Sequence, residues 1–275
     1  VAVLIVLAGN WTPNPAYSQA ITADVLLTGG TIHDGSGKPP QVGDVAVLDG
    51  KIVAVGEFEL ESAELVIPCQ GLIVTPGFID LHNHSDSVII RSGTRANMNF
   101  VLQGCTTIVT GNCGAGPIDV QAYYEEIDKA GAGTNVVHLL PQGNLRREVI
   151  GNVRRPATMD ELEEMQKLAA KAMQDGAWGM STGLIYVPSS YADTDELIAI
   201  ARVIAEHGGI YASHIRGEGS GLLDSVNEAM AIGKGAKLPV HVSHFKSSGR
   251  DNWGLVRVAV DLIGKARAEG QQVTA

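Results

Sequence analysis

Positive charge is scarce in this chain: 20 Lys and Arg stand against 30 Asp and Glu, a formal net charge of -10, and the basic residues are scattered rather than gathered into a stripe. Nucleic-acid binding draws its affinity from phosphates neutralised by clustered Lys and Arg, so the composition argues against that partner. Cysteine is scarce as well. Three thiols, an odd number in 275 residues, make no disulfide framework and leave each Cys to a structural or metal-binding role. Long hydrophobic runs are missing too: the apolar start, Val1 to Gly9, is well short of the roughly 20 residues that a membrane span needs. Hydrophobic residues nonetheless make up 45% of the chain, enough for a large buried core.

The apolar start is followed by the helix breakers Pro13 and Pro15 and then by Ser18-Gln19-Ala20, small residues spaced as at a signal-peptidase site. Residues 1–20 therefore read as a clipped secretory signal, which predicts an exported protein, periplasmic or extracellular. The alternative is a buried first strand and a cytoplasmic location. Residues 21–73 read as a small β domain of short strands and glycine turns, with Asp34-Gly35 and Asp49-Gly50 offering the positive-φ positions of tight hairpins.

From residue 74 to residue 275 the pattern changes to strands alternating with helices. "GFIDLHNH", "CTTIVTGN", "TNVVHLLPQGN", "AWGMSTGLIY", "GIYASHIRGEG", "PVHVSHFKSSG" and "QQVTA" are apolar or β-branched runs, and helical segments separate most of them. Thr158 with Glu161 and Asp193 with Glu196 each fit a capping box. Leu162, Met165, Leu168, Ala169 and Ala172 recur at helical spacing and read as core. The fold class this predicts is α/β, a (β/α)8 TIM-like barrel. Such a barrel takes about 250 residues and fewer than that follow Pro76, so the barrel is expected to be truncated in strand seven.

In such barrels the working residues sit at the C-terminal ends of the strands. Here those ends supply metal ligands. His82 and His84 close strand one, where alternation would send both to one face while Asn83 points away. Cys113 follows strand two in "VTGNCGAG", His214 ends strand five and His244 ends strand six. Imidazole and thiolate suit zinc, and a thiolate can bridge two ions. His33, His138, His207 and His241 read as structural or exposed, and Cys69 and Cys105 as buried thiols behaving as small hydrophobes. Asp80 and Asp86 are expected to orient the histidines.

"TPGFIDLHNHSD" resembles the strand-one signature of the amidohydrolase superfamily. With "GNCG", "GMSTGLIYVPSSYA", "SHIRGEG" and "HVSHFK", the chain resembles its D-aminoacylase branch, the N-acyl-D-amino-acid deacylases, from Ile21 to Ala275. Most of that superfamily bridges its metals with a carboxylated lysine on strand four, whereas this branch uses a cysteine after strand two. Strand four here, "WGMSTGLIY", has no lysine, and the cysteine is present. The resemblance implies one tightly bound zinc on Cys113, His214 and His244, and a second, weaker position on His82 and His84, reached across the Cys113 sulfur. It implies that Lys246 meets a substrate carboxylate and that Tyr186 donates to the amide oxygen; the alternatives are a solvated loop cation for Lys246 and a packing aromatic for Tyr186. Arg216 has the parity of His214 and could bind a carboxylate. The family's catalytic aspartate ends strand eight and is expected beyond Ala275, so no residue here takes its role. The implied reaction is zinc-dependent hydrolysis of N-acyl-D-amino acids, small-molecule substrates. The competing readings are a cyclic-amide hydrolase of the hydantoinase or dihydroorotase kind, and a non-catalytic zinc-binding exported scaffold.

Overall fold

A computed structural model describes residues 20–275; the expected secretory signal over residues 1–20 lies outside the described residues except for Ala20. The chain divides into two compact units, one comprising residues up to 79 together with 99–106, the other residues 80–98 and 107–275. Among the described residues no helix is long and apolar enough to cross a membrane.

The first unit is built on a five-stranded sheet of β1 (Ile21–Ile32), β2 (Gln41–Leu48), β3 (Lys51–Gly56), β4 (Leu60–Pro68) and β5 (Ile73–Val74). β1 lies at its centre, antiparallel to β2 and parallel to β4 and β5. Asp49 and Gly50, both at positive φ (50° and 69°), close the β2–β3 hairpin as the Asp-Gly pair requires. Asp34-Gly35 makes no such tight turn. It lies in the longer connection between β1 and β2, where the Asp34 carboxylate accepts the Ser36 N–H at 2.9 Å. Ala23, Leu26, Ala46 and Ala54 form one small core and Leu27, Val45 and Cys69 another.

The remaining elements follow as β6 (Phe78–Asp80), α1 (Met98–Val101), β7 (Cys105–Thr110), α2 (Val120–Ala130), β8 (Asn135–His138), β9 (Leu140–Pro141), α3 (Gln142–Val149), α4 (Met159–Gln174), β10 (Gly179–Gly183), α5 (Thr194–Glu206), β11 (Ile210–His214), α6 (Leu222–Ala236), β12 (Val240–Val242), α7 (Leu255–Ala268) and β13 (Val273–Thr274). Each apolar run read from the sequence thus yields a strand, but the third yields two. "TNVVHLLPQGN" is divided at Leu139, with β8 parallel to β7 and β9 parallel to β10. The strands consequently fall into the sheets β6-β7-β8 and β9-β10-β11-β12-β13, and a closed barrel is not seen among the described residues. The Trp178 N–H bonds the His138 carbonyl at 3.0 Å across the division.

The helices of the second unit pack around a large core that includes Leu140, Met165, Met180, Leu197, Ile200, Tyr211, Val226 and Val242. The α4 stripe behaves as its spacing demands: Met165, Ala169 and Ala172 are buried, with Leu162 and Leu168 packed against the core. Thr158 completes its capping box, its hydroxyl accepting the Glu161 N–H at 3.2 Å while Glu161 accepts the Thr158 N–H at 2.8 Å. At α5 only half the box forms. Asp193 accepts the Glu196 N–H at 2.8 Å, but the Glu196 side chain turns inward to Arg146 Nε at 3.0 Å, because the buried guanidinium of Arg146 needs a counter-charge more than the helix end needs a second cap. Burial lifts the Glu196 pKa above its usual value, with Arg146 pulling the other way. Cys105, expected to be buried, is only half-buried at the start of β7.

Removing one partner of a buried ion pair leaves the other charge uncompensated, so Glu196→Ala should cost about 3–5 kcal/mol in urea denaturation. Thr158→Ala, which removes only an exposed cap, should cost about 1 kcal/mol in the same assay.

Candidate metal centre

The turn after β6 brings the first candidate ligands into place. β6 ends at Asp80, so His82 and His84 lie in a turn rather than alternating along a strand. The Asp80 carboxylate accepts the His82 N–H at 3.0 Å, which caps that turn instead of gripping an imidazole as expected. Asn83 points away and donates to the Val109 carbonyl at 3.0 Å. The His82 and His84 rings end 5.3 Å apart in a T-shaped contact.

Cys113 sits in a loop after β7 whose backbone is left-handed at Gly111 (φ 76°), Cys113 (φ 54°) and Gly114 (φ 69°). The loop is held against β10 from two directions. Ser181 Oγ donates to the Gly111 carbonyl and accepts the Gly114 N–H at 3.0 Å. Asp86, expected to orient the ligand histidines, instead accepts the Gly111 N–H and so fixes this loop, with His138 Nδ1 3.9 Å away. A Cβ at Gly183 would stand 2.2 Å from the Cys113 carbonyl oxygen, and one at Gly111 would stand 2.0 Å from the Leu139 carbonyl oxygen. The closeness of the loop therefore depends on residues without side chains.

His214 ends β11 and is buried; His244 follows β12 with a φ of 38°. Left-handed backbone costs a residue other than Gly about 1–3 kcal/mol, and such strain gathers at functional sites. Two of the positive-φ residues other than Gly, Cys113 and His244, are candidate ligands. The ligand atoms converge on one sulfur: Cys113 Sγ lies 3.6 Å from His82 Nε2, 3.7 Å from His214 Nδ1 and 3.9 Å from His244 Nε2. With Zn–S near 2.3 Å and Zn–N near 2.0–2.1 Å, ligands on one edge of a tetrahedron stand roughly 3.6 Å apart, so the donor chemistry and the sulfur–nitrogen spacings suit zinc. The atoms close enough to one another to share an ion fall into two groups, His82 with Cys113 and His244, and His214 with Glu218 and His244. His84 is in neither group of ligand atoms and stands beside the site, its ring against that of His82.

Burial shapes the protonation of these groups. Desolvation, reinforced by the charges of His244 and His84, pulls His82 down to about 4. His214 is also lowered, by burial first and by His244 next. Burial and then the charge of Glu218 push the Cys113 thiol up to about 11, against the pull of Lys246.

Around the ligands, Tyr186 lies 5.0 Å ring to ring from His214 and is exposed. Lys246 is exposed, with its ammonium 2.6 Å from Glu218 Oε1. Arg216 is turned elsewhere: its guanidinium pairs with both oxygens of Glu228 at 2.9 Å and donates to the carbonyls of Ser190 (2.9 Å) and Ala192 (3.0 Å). Those bonds commit it to Glu228 and to holding the loop after β10, whereas it was expected to be free for a substrate carboxylate. Sequence reasoning missed Glu218, which reaches His244 Nδ1 at 2.9 Å, and Ser181; a Glu four residues past His214 in a glycine-flanked loop was the available signal. Two of the histidines set aside as structural have partners of their own, the buried His138 with Thr110 Oγ1 at 2.8 Å and the half-buried His241 with Thr274 Oγ1 at 2.9 Å.

Parallel strands whose following loops converge as an imidazole and thiolate cluster define an α/β protein with a candidate metal centre. Comparison with known proteins makes that class specific. A family profile described as Amidohydrolase family matches residues 65–269. The D-aminoacylase of Alcaligenes xylosoxydans xylosoxydans is 36% identical over 277 residues, covering 92% of this chain and 57% of that protein. A crystal structure of N-acyl-D-glutamate deacylase from Bordetella bronchiseptica, complexed with zinc and a phosphonate mimic of the tetrahedral intermediate, aligns at a TM-score of 0.87 with 35% identity over 92% of this chain and 58% of that one. A D-aminoacylase structure described for its binuclear metal centre aligns at a TM-score of 0.85, also with 35% identity, over 91% of this chain and 57% of that one. The chain belongs to the amidohydrolase family, and the structural match implies a TIM-barrel-type fold. It spans little more than half the length of these relatives.

At pH 7 the thiol of Cys113 is protonated while His82 already offers a lone pair, so a cation must displace the thiol proton. Raising the pH lowers the cost of that displacement. Apparent zinc affinity should therefore rise about tenfold per pH unit between about pH 6 and 8, with about one proton released per ion in calorimetry in buffers of different ionisation heat. Gly183→Ala should push the Cys113 loop off β10 and weaken zinc binding, measured in the same titration, while a metal affinity equal to that of the unmodified protein would show that the close approach is not needed.

Proposed function

We propose that the whole protein is a zinc-dependent deacylase that hydrolyses N-acyl-D-amino acids to a carboxylate and a D-amino acid. The observation that carries this reading is the convergence of three imidazole nitrogens within 3.9 Å of the Cys113 sulfur. Cys113, His214 and His244 would hold the tightly bound ion, and His82 with His84 would serve a second, weaker position across the sulfur. When bound, zinc would supply an activated water at neutral pH and Lewis-acid polarisation of the amide.

The chain's own residues do the rest of what can be assigned here. The Lys246 ammonium stands exposed beside His244 and offers a counter-charge to the substrate carboxylate. The Tyr186 hydroxyl, on an exposed ring next to His214, is the donor for charge developing on the amide oxygen. No residue of this chain is given the general acid–base role toward the leaving amine. Support for the deacylase over a cyclic-amide hydrolase comes from β10: it carries no lysine, and the space beside Gly183 is filled by the Cys113 carbonyl. In the same reading, residues 74–275 contribute to a (β/α)8 barrel, residues 21–73 form the small β domain, and residues 1–20 direct export.

Zinc analysis coupled to amine release from N-acetyl-D- and N-acetyl-L-amino acids tests the proposal. Bound zinc with release confined to D substrates is expected; zinc without turnover of either isomer would favour a cyclic-amide hydrolase or a scaffold. Cys113→Ala should abolish turnover and strip most of the zinc, and an unchanged metal content would refute the assignment of the sulfur.

A further inference from the structure

Glu218 stands behind two of the candidate ligands. Its side chain is 12% exposed, and its main-chain carbonyl accepts the Ser248 N–H at 2.5 Å, which ties the loop after β11 to the loop after β12. Oε1 lies 2.6 Å from Lys246 Nζ, 2.9 Å from His244 Nδ1 and 4.0 Å from His214 Nε2. The opposite nitrogens of both rings, His244 Nε2 and His214 Nδ1, face Cys113 Sγ. An ionised carboxylate accepts and does not donate, so contact at this distance requires the proton to sit on His244 Nδ1. Nε2 then turns its lone pair toward the sulfur. His214 has the same polarity: its buried Nε2 has no hydrogen-bond partner and is directed at the same carboxylate oxygen.

We propose that Glu218 is a positioning residue for the metal centre, fixing His244, and drawing His214, into the tautomers that present a lone pair beside Cys113, while it holds Lys246 next to them. The inference rests on the zinc reading given above. A rival arrangement is visible at the same atoms. Lys246 Nζ lies 3.2 Å from His244 Nδ1, and if it donated there, Nε2 would carry the proton and could not bind a metal. The shorter contact to Glu218, and its charge, favour the first arrangement, because hydrogen bonds to an ionised acceptor are the stronger kind.

The test is zinc affinity by chelator competition together with nitrogen NMR of the imidazoles, on the unmodified protein and on Glu218→Ala, Glu218→Gln and Lys246→Met. Loss of a carboxylate behind a metal-bound histidine weakens affinity by about 10- to 100-fold, and Glu218→Ala should do so here. Glu218→Gln, whose amide oxygen can still accept from Nδ1, should lose less, and Lys246→Met should stay within about twofold while raising KM for N-acyl-amino acids. His244 should carry its proton on Nδ1 in the zinc-loaded protein. Zinc affinity unchanged in both Glu218 variants would overturn the inference and leave the zinc reading standing, whereas a proton on His244 Nε2 in the zinc-loaded protein would overturn the inference and remove His244 from the ligands. Failure of the unmodified protein to bind zinc would remove both. Should Glu218→Ala lose its circular dichroism signal, the Gln variant decides.

Discussion

The candidate centre depends on one close approach, that of the Cys113 loop to the end of β10. The Cys113 carbonyl occupies the volume a side chain on Gly183 would need, and the loop reaches that position only through left-handed backbone at Gly111, Cys113 and Gly114. A left-handed cysteine is unfavourable by about 1–3 kcal/mol, so it has to be over-determined by its surroundings. Ser181 bonding the loop on both sides of Cys113, and Asp86 accepting the Gly111 N–H, provide that constraint. The sulfur is thereby fixed at a point that imidazoles from the turn after β6, the end of β11 and the loop after β12 can all reach.

Charge is arranged around this point in two tiers. The site itself holds groups that burial keeps neutral, a thiol raised to about 11 and a His82 lowered to about 4, which suits a site meant to receive a cation. Beside it stand the paired charges Glu218 with Lys246, and, in the loop that follows His214, Arg216 with Glu228. Arg216 clamps the main chain at Ser190 and Ala192, in the loop that carries Tyr186, so the residue closest in sequence to His214 that could bind an anion acts as a brace.

Much of this was legible in the sequence, though not always for the right reason. Cys113 stood out as the thiol that follows strand two, and the structure shows the glycines around it as the condition for its placement. His82 and His84 stood out by spacing, yet the strand that was to align them ends at Asp80, and a capped turn does the work. Arg216 was misread because strand parity says nothing once the strand has ended; what its guanidinium meets is set by Glu228, twelve residues on in α6. Glu218 offered only its place four residues past His214 between two glycines, because its partner His244 is remote in sequence and its own loop has no period. The third apolar run looked like one strand, since its hydrophobicity is continuous, and only pairing partners reveal the division at Leu139.

The central claim is that a cysteine sulfur and imidazole nitrogens share one metal ion. X-ray absorption at the zinc edge of the loaded protein tests this most directly. The account predicts a sulfur scatterer at about 2.3 Å alongside nitrogen or oxygen at about 2.0–2.1 Å. A shell made of nitrogen and oxygen alone, with no sulfur, would contradict it.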